Sequence, residues 1–358
     1  MAPPTVAPRG RRLPEALSGT RPYAKSRIAE NETTHKKDFP HGTAGTNFPG
    51  IQDNAPKTGP TTGTHLYAAG IVSNTISVVD AATHKLVASL DAGINPFGIT
   101  RTPDGRKLYI SNSGASNVSV LDTTLGRIVS TVTVGLYPHG VAASPGGRYV
   151  YVANTGPDGP GGLRTVSVID TGTDKIAATW QTGAAPRCIT PGPDGRTLYV
   201  TCADGLSVVD TGSGDTRATL TGQARSNGVA AHPDGRRVYV ANTAQNTLSV
   251  IDTHSHRTGA RIPVGRSPWQ AAVSPDGSQV YVTCANDDTL TVIDTGRNRV
   301  LVTVRVHHIP TGITAVGDTI WVATNTSSTV DAIDAKTLQI TGSTPLGLAT
   351  EPSGLAVA

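Results

Sequence analysis

A repeated x-Pro-x-Gly motif carries the side chains of this 358-residue chain that are best suited to chemistry. From one repeat to the next, the residue after the proline is aromatic, imidazole, guanidinium, amide or hydroxyl. The residue before the proline is equally varied, and in one repeat Ser226 replaces the proline. The post-proline column is Phe97, His139, Arg187, Asn227, Trp269, Thr311 and Ser353, and the pre-proline column is Asn95, Tyr137, Ala185, Arg225, Ser267, Ile309 and Glu351.

These two columns could form a small-molecule site with acid–base chemistry. An imidazole and a carboxylate can transfer protons, so His139 is the candidate general acid–base and Glu351 its partner or a second catalyst. Arg187 and Asn227 are candidates to hold a carboxylate or a developing oxyanion. The remaining candidate substrate-binding residues, of which the aromatic ones would hold an apolar group, are Trp269, Tyr137, Phe97, Arg225 and Gln270.

Each of these candidates also has a purely structural interpretation. His139 could be a hydrogen-bonded structural residue, and Arg187 could pair with an acid of a neighbouring repeat. Glu351 could be a solvated residue at the rim, and Trp269 and Phe97 could plug a central channel. The functional interpretation depends on one observation, which is that unusual residues concentrate at one repeat position.

The cysteines and histidines outside these columns predict neither a disulfide framework nor a metal centre. Three cysteines are an odd number and too few for such a framework. The adjacent His307 and His308 are expected on opposite sides of a strand end, which argues against one shared metal ion. No zinc spacing, phosphate loop or dinucleotide fingerprint is present, so no metal and no cofactor are predicted. Buried free thiols are expected at Cys202 and Cys284, which replace the asparagines seen at Asn112, Asn154, Asn242 and Asn325.

The elements that position the two columns are short β-strands arranged in repeats. A Thr-Ile-Ser-Val-Val-Asp phrase ends at Asp80, and its relatives follow at successive spacings of 42, 48, 40, 42, 42 and 40 residues. Each repeat has four short apolar runs rich in Val, Ile, Thr and Tyr, which favours strands over helices. A Pro-Asp-Gly sequence, as at residues 233–235, supplies a turn between the first and second runs. Four strands at this period are typical of a β-propeller blade.

The two ends of the repeat region predict a closed ring. The chain ends in the sequence of a first strand, from Pro352 to Ala358, whereas the first repeat begins with a second strand at Leu66. The predicted fold is therefore all-β: a seven-bladed β-propeller of four-stranded antiparallel blades over residues 63–358. The C-terminal strand completes the first blade and closes the ring.

The strand sequences resemble a known family. Tyr239-Val-Ala-Asn242, Tyr151-Val-Ala-Asn154 and Tyr281-Val-Thr-Cys284 are each followed by a Ser/Thr-Val-Ile-Asp strand, and this pattern is similar to the YVTN-repeat family of seven-bladed propellers. That family is related to lactonase-like and surface-layer propellers, and many of its members are exported. The resemblance implies that the x-Pro-x-Gly connections surround the channel mouth. It implies no shared catalytic motif.

The net charge of +4 and the pI near 9.0 do not indicate a basic propeller. Residues 1–60 hold nine Lys/Arg and five Asp/Glu, which leaves 21 basic and 21 acidic residues in the remainder. Residues 1–62 are expected to form a basic, Pro/Gly-rich extension that is mobile or lies on the propeller. The sequence shows neither a signal-peptide-length apolar stretch nor an 18-residue apolar run. A cytoplasmic location with no membrane contact is therefore expected.

Three functions are compatible with this pattern. The leading hypothesis is a monomeric propeller that binds a small anionic metabolite or peptide at the channel mouth. Its enzymatic form would catalyse a lyase-, isomerase- or lactonase-like acid–base step. The alternative is a non-catalytic scaffold that docks a protein partner on the same rim. Nucleic-acid binding is the third, and only the extension favours it, because the excess positive charge lies there and the propeller is neutral.

Overall fold

The computed structural model describes residues 63–157, 162–222 and 225–358, so the predicted extension at 1–62 lies outside the described residues. The described residues form seven four-stranded antiparallel sheets, and each sheet is one blade. The predicted all-β, seven-bladed fold is confirmed. Within the described ranges, no helix has the length and apolar character needed to cross a bilayer.

The strands of each blade follow in order from the innermost to the outermost. Blade 1 consists of Pro352–Val357, His65–Gly70, Thr75–Asp80 and Lys85–Asp91. Blade 2 consists of Pro96–Arg101, Lys107–Asn112, Asn117–Asp122 and Arg127–Thr133. Blade 3 consists of Pro138–Ala143, Tyr149–Asn154, Thr165–Asp170 and Lys175–Gln181. Blade 4 consists of Ile189–Pro191, Thr197–Cys202, Gly205–Asp210 and Thr216–Leu220. Blade 5 consists of Ser226–Ala231, Arg237–Asn242, Thr247–Asp252 and Arg257–Pro263. Blade 6 consists of Pro268–Val273, Gln279–Cys284, Thr289–Asp294 and Arg299–Arg305. Blade 7 consists of Pro310–Val316, Thr319–Thr324, Thr329–Asp334 and Ile340–Pro345.

The ring closes inside blade 1, where the last strand of the chain pairs with the first. The His65 N–H donates to the Ala358 carbonyl at 2.7 Å, and the Ala358 N–H donates back to the His65 carbonyl at 2.8 Å. Leu66 lies opposite Val357 in the same antiparallel ladder. The C-terminal strand therefore completes the first blade, as predicted.

The hydrophobic core lies between neighbouring blades. The second and third strands of each blade are almost wholly buried, because the flanking blades cover both of their faces, whereas the outer strands are largely exposed. Tyr239 of blade 5, for example, is fully buried against Val280 and Val282 of blade 6. The recurring tyrosines therefore pack the blades together.

The aspartate that ends each third strand caps the turn that follows. Asp80 Oδ1 accepts the N–H groups of Ala82 at 3.1 Å and Thr83 at 2.7 Å, and it also accepts the Thr83 hydroxyl. These bonds from Thr83, followed by the one from Ala82, lower the pKa of Asp80. Because the same geometry recurs from blade to blade, these aspartates belong to the architecture.

Candidate functional site

Hydroxyl groups hold the channel mouth in a closed ring. At each of the seven junctions between blades, a Ser or Thr hydroxyl donates to a backbone carbonyl at the start of the next inner strand, at 2.5 to 2.9 Å. Every acceptor is a post-proline residue or the proline itself, so these bonds fix the backbone that carries the column. In ring order the bonds run from Ser353 to Phe97, Ser111 to His139, Thr155 to Pro186, Thr201 to Asn227, Thr243 to Pro268, Thr283 to Thr311 and Thr311 to Pro352.

Four large side chains of the post-proline column, those of blades 2, 3, 4 and 6, are half-buried. The rings of Phe97 and His139 stack across neighbouring blades, with centroids 4.4 Å apart and planes inclined by 11°. Arg187 follows in the next blade, where its carbonyl accepts the Gly140 N–H at 2.7 Å. Trp269 lies two blades further on. Blades 2 to 4 therefore place a flat aromatic surface, an imidazole and a cation in succession around the mouth.

The other members of the column are buried and bond to the protein. Asn227 is 8% exposed, and its amide nitrogen donates to Thr243 Oγ1 at 3.3 Å. Thr311 and Ser353 donate to carbonyls of the next blade, as described above. The structure thus places the predicted anion-binding Asn227 in the wall of the ring, apart from the half-buried side chains.

The predicted catalytic residues His139 and Glu351 belong to blades 3 and 1, and blade 2 lies between them. The His139 ring stacks on Phe97 of blade 2. Glu351 is half-buried, and its backbone N–H faces blade 7, where it donates to Ser328 Oγ at 3.4 Å. In ring order, Phe97 therefore lies between the two predicted catalytic residues.

All seven pre-proline residues adopt the left-handed conformation, with φ between 46° and 54°. This conformation costs a non-glycine residue about 1–2 kcal/mol. In five of the blades the carbonyl of this residue accepts the N–H of the residue that follows the second strand; Tyr137, for example, accepts the Thr155 N–H at 3.1 Å, and Glu351 accepts the Ile71 N–H at 3.3 Å. Because every blade shares it, the conformation belongs to the connection and not to one site. It leaves the candidates Tyr137 and Arg225 exposed.

The next position along each inner strand is glycine in five blades. A Cβ atom there would collide with the neighbouring inner strand; at Gly140 it would lie 2.5 Å from the Arg187 carbonyl. Blades 4 and 6 break the pattern with Cys188 and Gln270, and the Cys188 thiol donates to Gln270 Oε1 at 3.4 Å. Gln270 was among the predicted site residues and Cys188 was not, although the replacement of a glycine by Cys188 is visible in the sequence. The glycines are Gly98, Gly140, Gly228, Gly312 and Gly354.

Comparison with known proteins supports this architecture at the level of sequence. The sequence profile of the YNCE-like beta-propeller family matches residues 218–340, which span blades 5 and 6 and most of blade 7. The resemblance to YVTN-repeat seven-bladed propellers is confirmed. No curated protein matches the chain in sequence.

Solved structures share the fold of this propeller at low sequence identity. Hydrazine synthase of Kuenenia stuttgartiensis is 22% identical, with a TM-score of 0.70 over 81% of this chain and 99% of that one. A protein of unknown function from Desulfotomaculum acetoxidans is 15% identical, with a TM-score of 0.71 over 83% and 99%. Dihydro-heme d1 dehydrogenase NirN, in complex with DHE, is 16% identical, with a TM-score of 0.63 over 84% and 76%. At these identities the likeness is one of fold.

In blades 2, 3 and 5 a structural asparagine occupies the position that Cys202 and Cys284 share. Asn154 Oδ1 accepts the Gly135 N–H at 3.1 Å, and its amide nitrogen donates to Ser167 Oγ at 2.9 Å. Both cysteines are free and buried, and burial raises the pKa of the Cys202 thiol to about 11. In blade 7 the residue at the end of the second strand is Thr324. The inclusion of Asn325 in this column was therefore wrong by one position.

Two histidine–aspartate pairs lie on the connection between blades 6 and 7. His307 Nδ1 lies 2.8 Å from Asp331, a fully buried carboxylate that also accepts the Ser343 hydroxyl at 2.6 Å. His308 Nδ1 lies 2.8 Å from Asp288 in blade 6. The two imidazoles thus turn towards different blades. In the part of the chain that the structure describes, no group of three or more His, Cys, Asp or Glu is placed to hold a metal ion.

A cavity of about 330 Å³ lies at the opposite end of the inner strands of blades 4 to 6. Its walls are mostly small and apolar, including Val229, Ala231 and Val273, and Thr190 contributes a hydroxyl. Its lining contains no charged side chain. The groups suited to acid–base chemistry and anion binding therefore lie at the mouth and not in this cavity.

Proposed function

We propose that this propeller binds a small carboxylate ligand with a flat apolar group at the channel mouth. The observation that carries the proposal is the Phe97–His139 stack, at 4.4 Å, beside the half-buried Arg187 of the next blade. Aromatic faces favour flat apolar groups. A guanidinium binds a carboxylate with two parallel hydrogen bonds. The two surfaces together match one small molecule of this class.

One structural neighbour of this propeller is described with a bound ligand. NirN was solved in complex with DHE. At 16% identity, NirN supports ligand binding by a propeller of this fold and assigns no role to any residue of this chain. In an enzymatic form of the proposal, His139 is the group that transfers a proton, in a lyase-, isomerase- or lactonase-like step.

Calorimetric titration with aromatic acids tests the proposal. Benzoate and indole-3-acetate should bind the purified protein, and the neutral isostere benzamide should bind about 10-fold more weakly. Arg187→Ala should weaken benzoate binding about 10-fold, because a charge-assisted bond contributes about 1.5–3 kcal/mol. Phe97→Ala should weaken it about 5-fold through the loss of stacking.

Arg299→Ala is the matched control, because Arg299 is exposed on the outer strand of blade 6 and carries the same charge. It should leave benzoate affinity unchanged. A wild-type protein that binds none of the acids, or an Arg187→Ala variant that binds benzoate like wild type, refutes the proposal. A protein partner that co-purifies with wild type and is lost in Trp269→Asp would support the interaction-scaffold alternative instead.

A further inference from the structure

Cys188 and Gln270 form one hydrogen-bonded pair that spans blade 5. Cys188 belongs to blade 4 and Gln270 to blade 6, and the Cys188 thiol lies 3.4 Å from Gln270 Oε1. Gly228 of blade 5 lies beneath the pair, where a Cβ atom would be 2.6 Å from Gln270 Oε1. The glycine between the two exceptions therefore provides the space that the Gln270 side chain occupies.

The thiol determines which way the Gln270 amide faces. A protonated thiol donates and an amide carbonyl accepts, so Oε1 turns towards Cys188 and the two Nε2 N–H groups turn away from it. Burial raises the pKa of the Cys188 thiol to about 11, an effect that the Arg187 charge partly opposes. At neutral pH the thiol therefore stays protonated and remains a donor.

Arg187 lies close to the same pair. It directly precedes Cys188 in the chain, and its positive charge acts on the Cys188 thiol. Arg187, Cys188 and Gln270 are all half-buried at the start of inner strands, on the mouth side of the ring. Because the thiol occupies Oε1, the Gln270 amide has only its N–H donors left for a ligand, the Arg187 guanidinium has only donors, and a carboxylate supplies only acceptors.

We propose that Gln270 is the second anion-binding group of the mouth: its amide N–H groups and the Arg187 guanidinium hold one carboxylate, and Cys188 positions the amide. This inference rests on the proposed function, because it assigns carboxylate recognition within the same site. One cation and one neutral amide match the single charge of a carboxylate better than the greater charge of a phosphate or phosphonate.

Benzoate titration of variants at the pair tests this assignment. Gln270→Glu replaces the N–H donors with a second carboxylate and should weaken benzoate binding more than about 10-fold. Gln270→Leu removes the donors without adding charge and should weaken it about 5-fold. Gln339→Glu makes the same chemical change at an exposed position of blade 7 and should have no effect. An unchanged unfolding midpoint shows that each variant is folded.

The positioning role of Cys188 has its own readout. Cys188→Ala frees the Gln270 amide to rotate and should weaken benzoate binding about 3-fold. Cys188→Ser keeps a donor at the same place and should restore the affinity. A Cys188→Ala variant with wild-type affinity, or a Cys188→Ser variant as weak as Cys188→Ala, would overturn this role.

The outcomes separate this inference from the proposed function. If wild type binds benzoate and both Gln270 variants bind it equally well, the role of Gln270 is overturned and the proposed function stands. If wild type binds no carboxylate, both are overturned. Tighter binding of phenylphosphonate than of benzoate would overturn the assignment of the site to carboxylates.

Discussion

The post-proline column is used in two ways around one ring. In blades 2, 3, 4 and 6 its side chains are large and half-buried at the mouth, whereas in blades 1, 5 and 7 they are small and buried. The large members are Phe97, His139, Arg187 and Trp269, and the small ones are Ser353, Asn227 and Thr311. The backbone position is the same in both groups, so they differ only in the side chain and in whether it is exposed at the mouth.

This difference is related to how the junctions between blades are closed. All seven junctions need a hydroxyl-to-carbonyl bond, but the donor comes from the column itself only in blades 1 and 7. Elsewhere the donor comes from the second strand or the residues just after it, as with Ser111 and Thr155. In blades 2, 3, 4 and 6, where another residue closes the junction, the column position carries a large, half-buried side chain.

The largest expected effect is a loss of stability on adding a side chain to an inner strand, compared with the same change in an open turn. Gly354→Ala should destabilise the protein by about 3 kcal/mol, because its Cβ would lie 2.5 Å from the Phe97 carbonyl and both residues belong to paired inner strands. Gly146→Ala is the control, since a Cβ there meets nothing within 4 Å. Chemical denaturation of both variants measures the difference. Equal stability of the two would show that the inner strands are not tightly packed.

A smaller effect is expected at the hydroxyl ring. Thr155→Val keeps the shape of the side chain and removes the donor to the buried Pro186 carbonyl, at 2.6 Å, which should cost about 1–3 kcal/mol. Thr303→Val is the same change on the exposed outer strand of blade 6 and should stay within about 0.5 kcal/mol of wild type. A Thr155→Val variant as stable as Thr303→Val would mean that the ring bonds do not stabilise closure.

The smallest expected effect concerns the pre-proline column. Arg225 is exposed with φ of 53°, so Arg225→Gly should stabilise the protein by about 0.5–1 kcal/mol by relieving the left-handed conformation. Arg225→Ala shortens the side chain without this relief and should be neutral. The difference between the two unfolding free energies is the measurement. If glycine were no better than alanine, the conformation would carry no cost at this position.

The fold and the positions of the two columns could be predicted from the sequence, because the repeats provide an internal control. The four apolar runs, the Pro-Asp-Gly turns and the unpaired first-strand sequence after Pro352 determine the seven blades and the closure. The same control located the two columns, since residues that vary among monotonous repeats are visible without a structure.

The use of each column residue could not be predicted in this way. Asn227 and Arg187 are equally plausible anion ligands in sequence, and only the packed ring shows that the Asn227 amide bonds to Thr243. Cys188 and Gln270 are 82 residues apart, so their contact depends on blade 5 lying between them. The shared left-handed conformation is also invisible, because tyrosine, isoleucine and glutamate do not favour it.

The most direct test of the central claim is benzoate affinity measured side by side in Arg187→Ala and Thr311→Val. These residues occupy the same column position in blades 4 and 7, one half-buried at the mouth and one buried and bonded to the Pro352 carbonyl. Arg187→Ala should bind benzoate about 10-fold more weakly than wild type, and Thr311→Val should bind it as wild type does. Loss of affinity in Thr311→Val with wild-type affinity in Arg187→Ala would contradict the claim that the large, half-buried residues of the column bind the ligand and the small, buried ones do not.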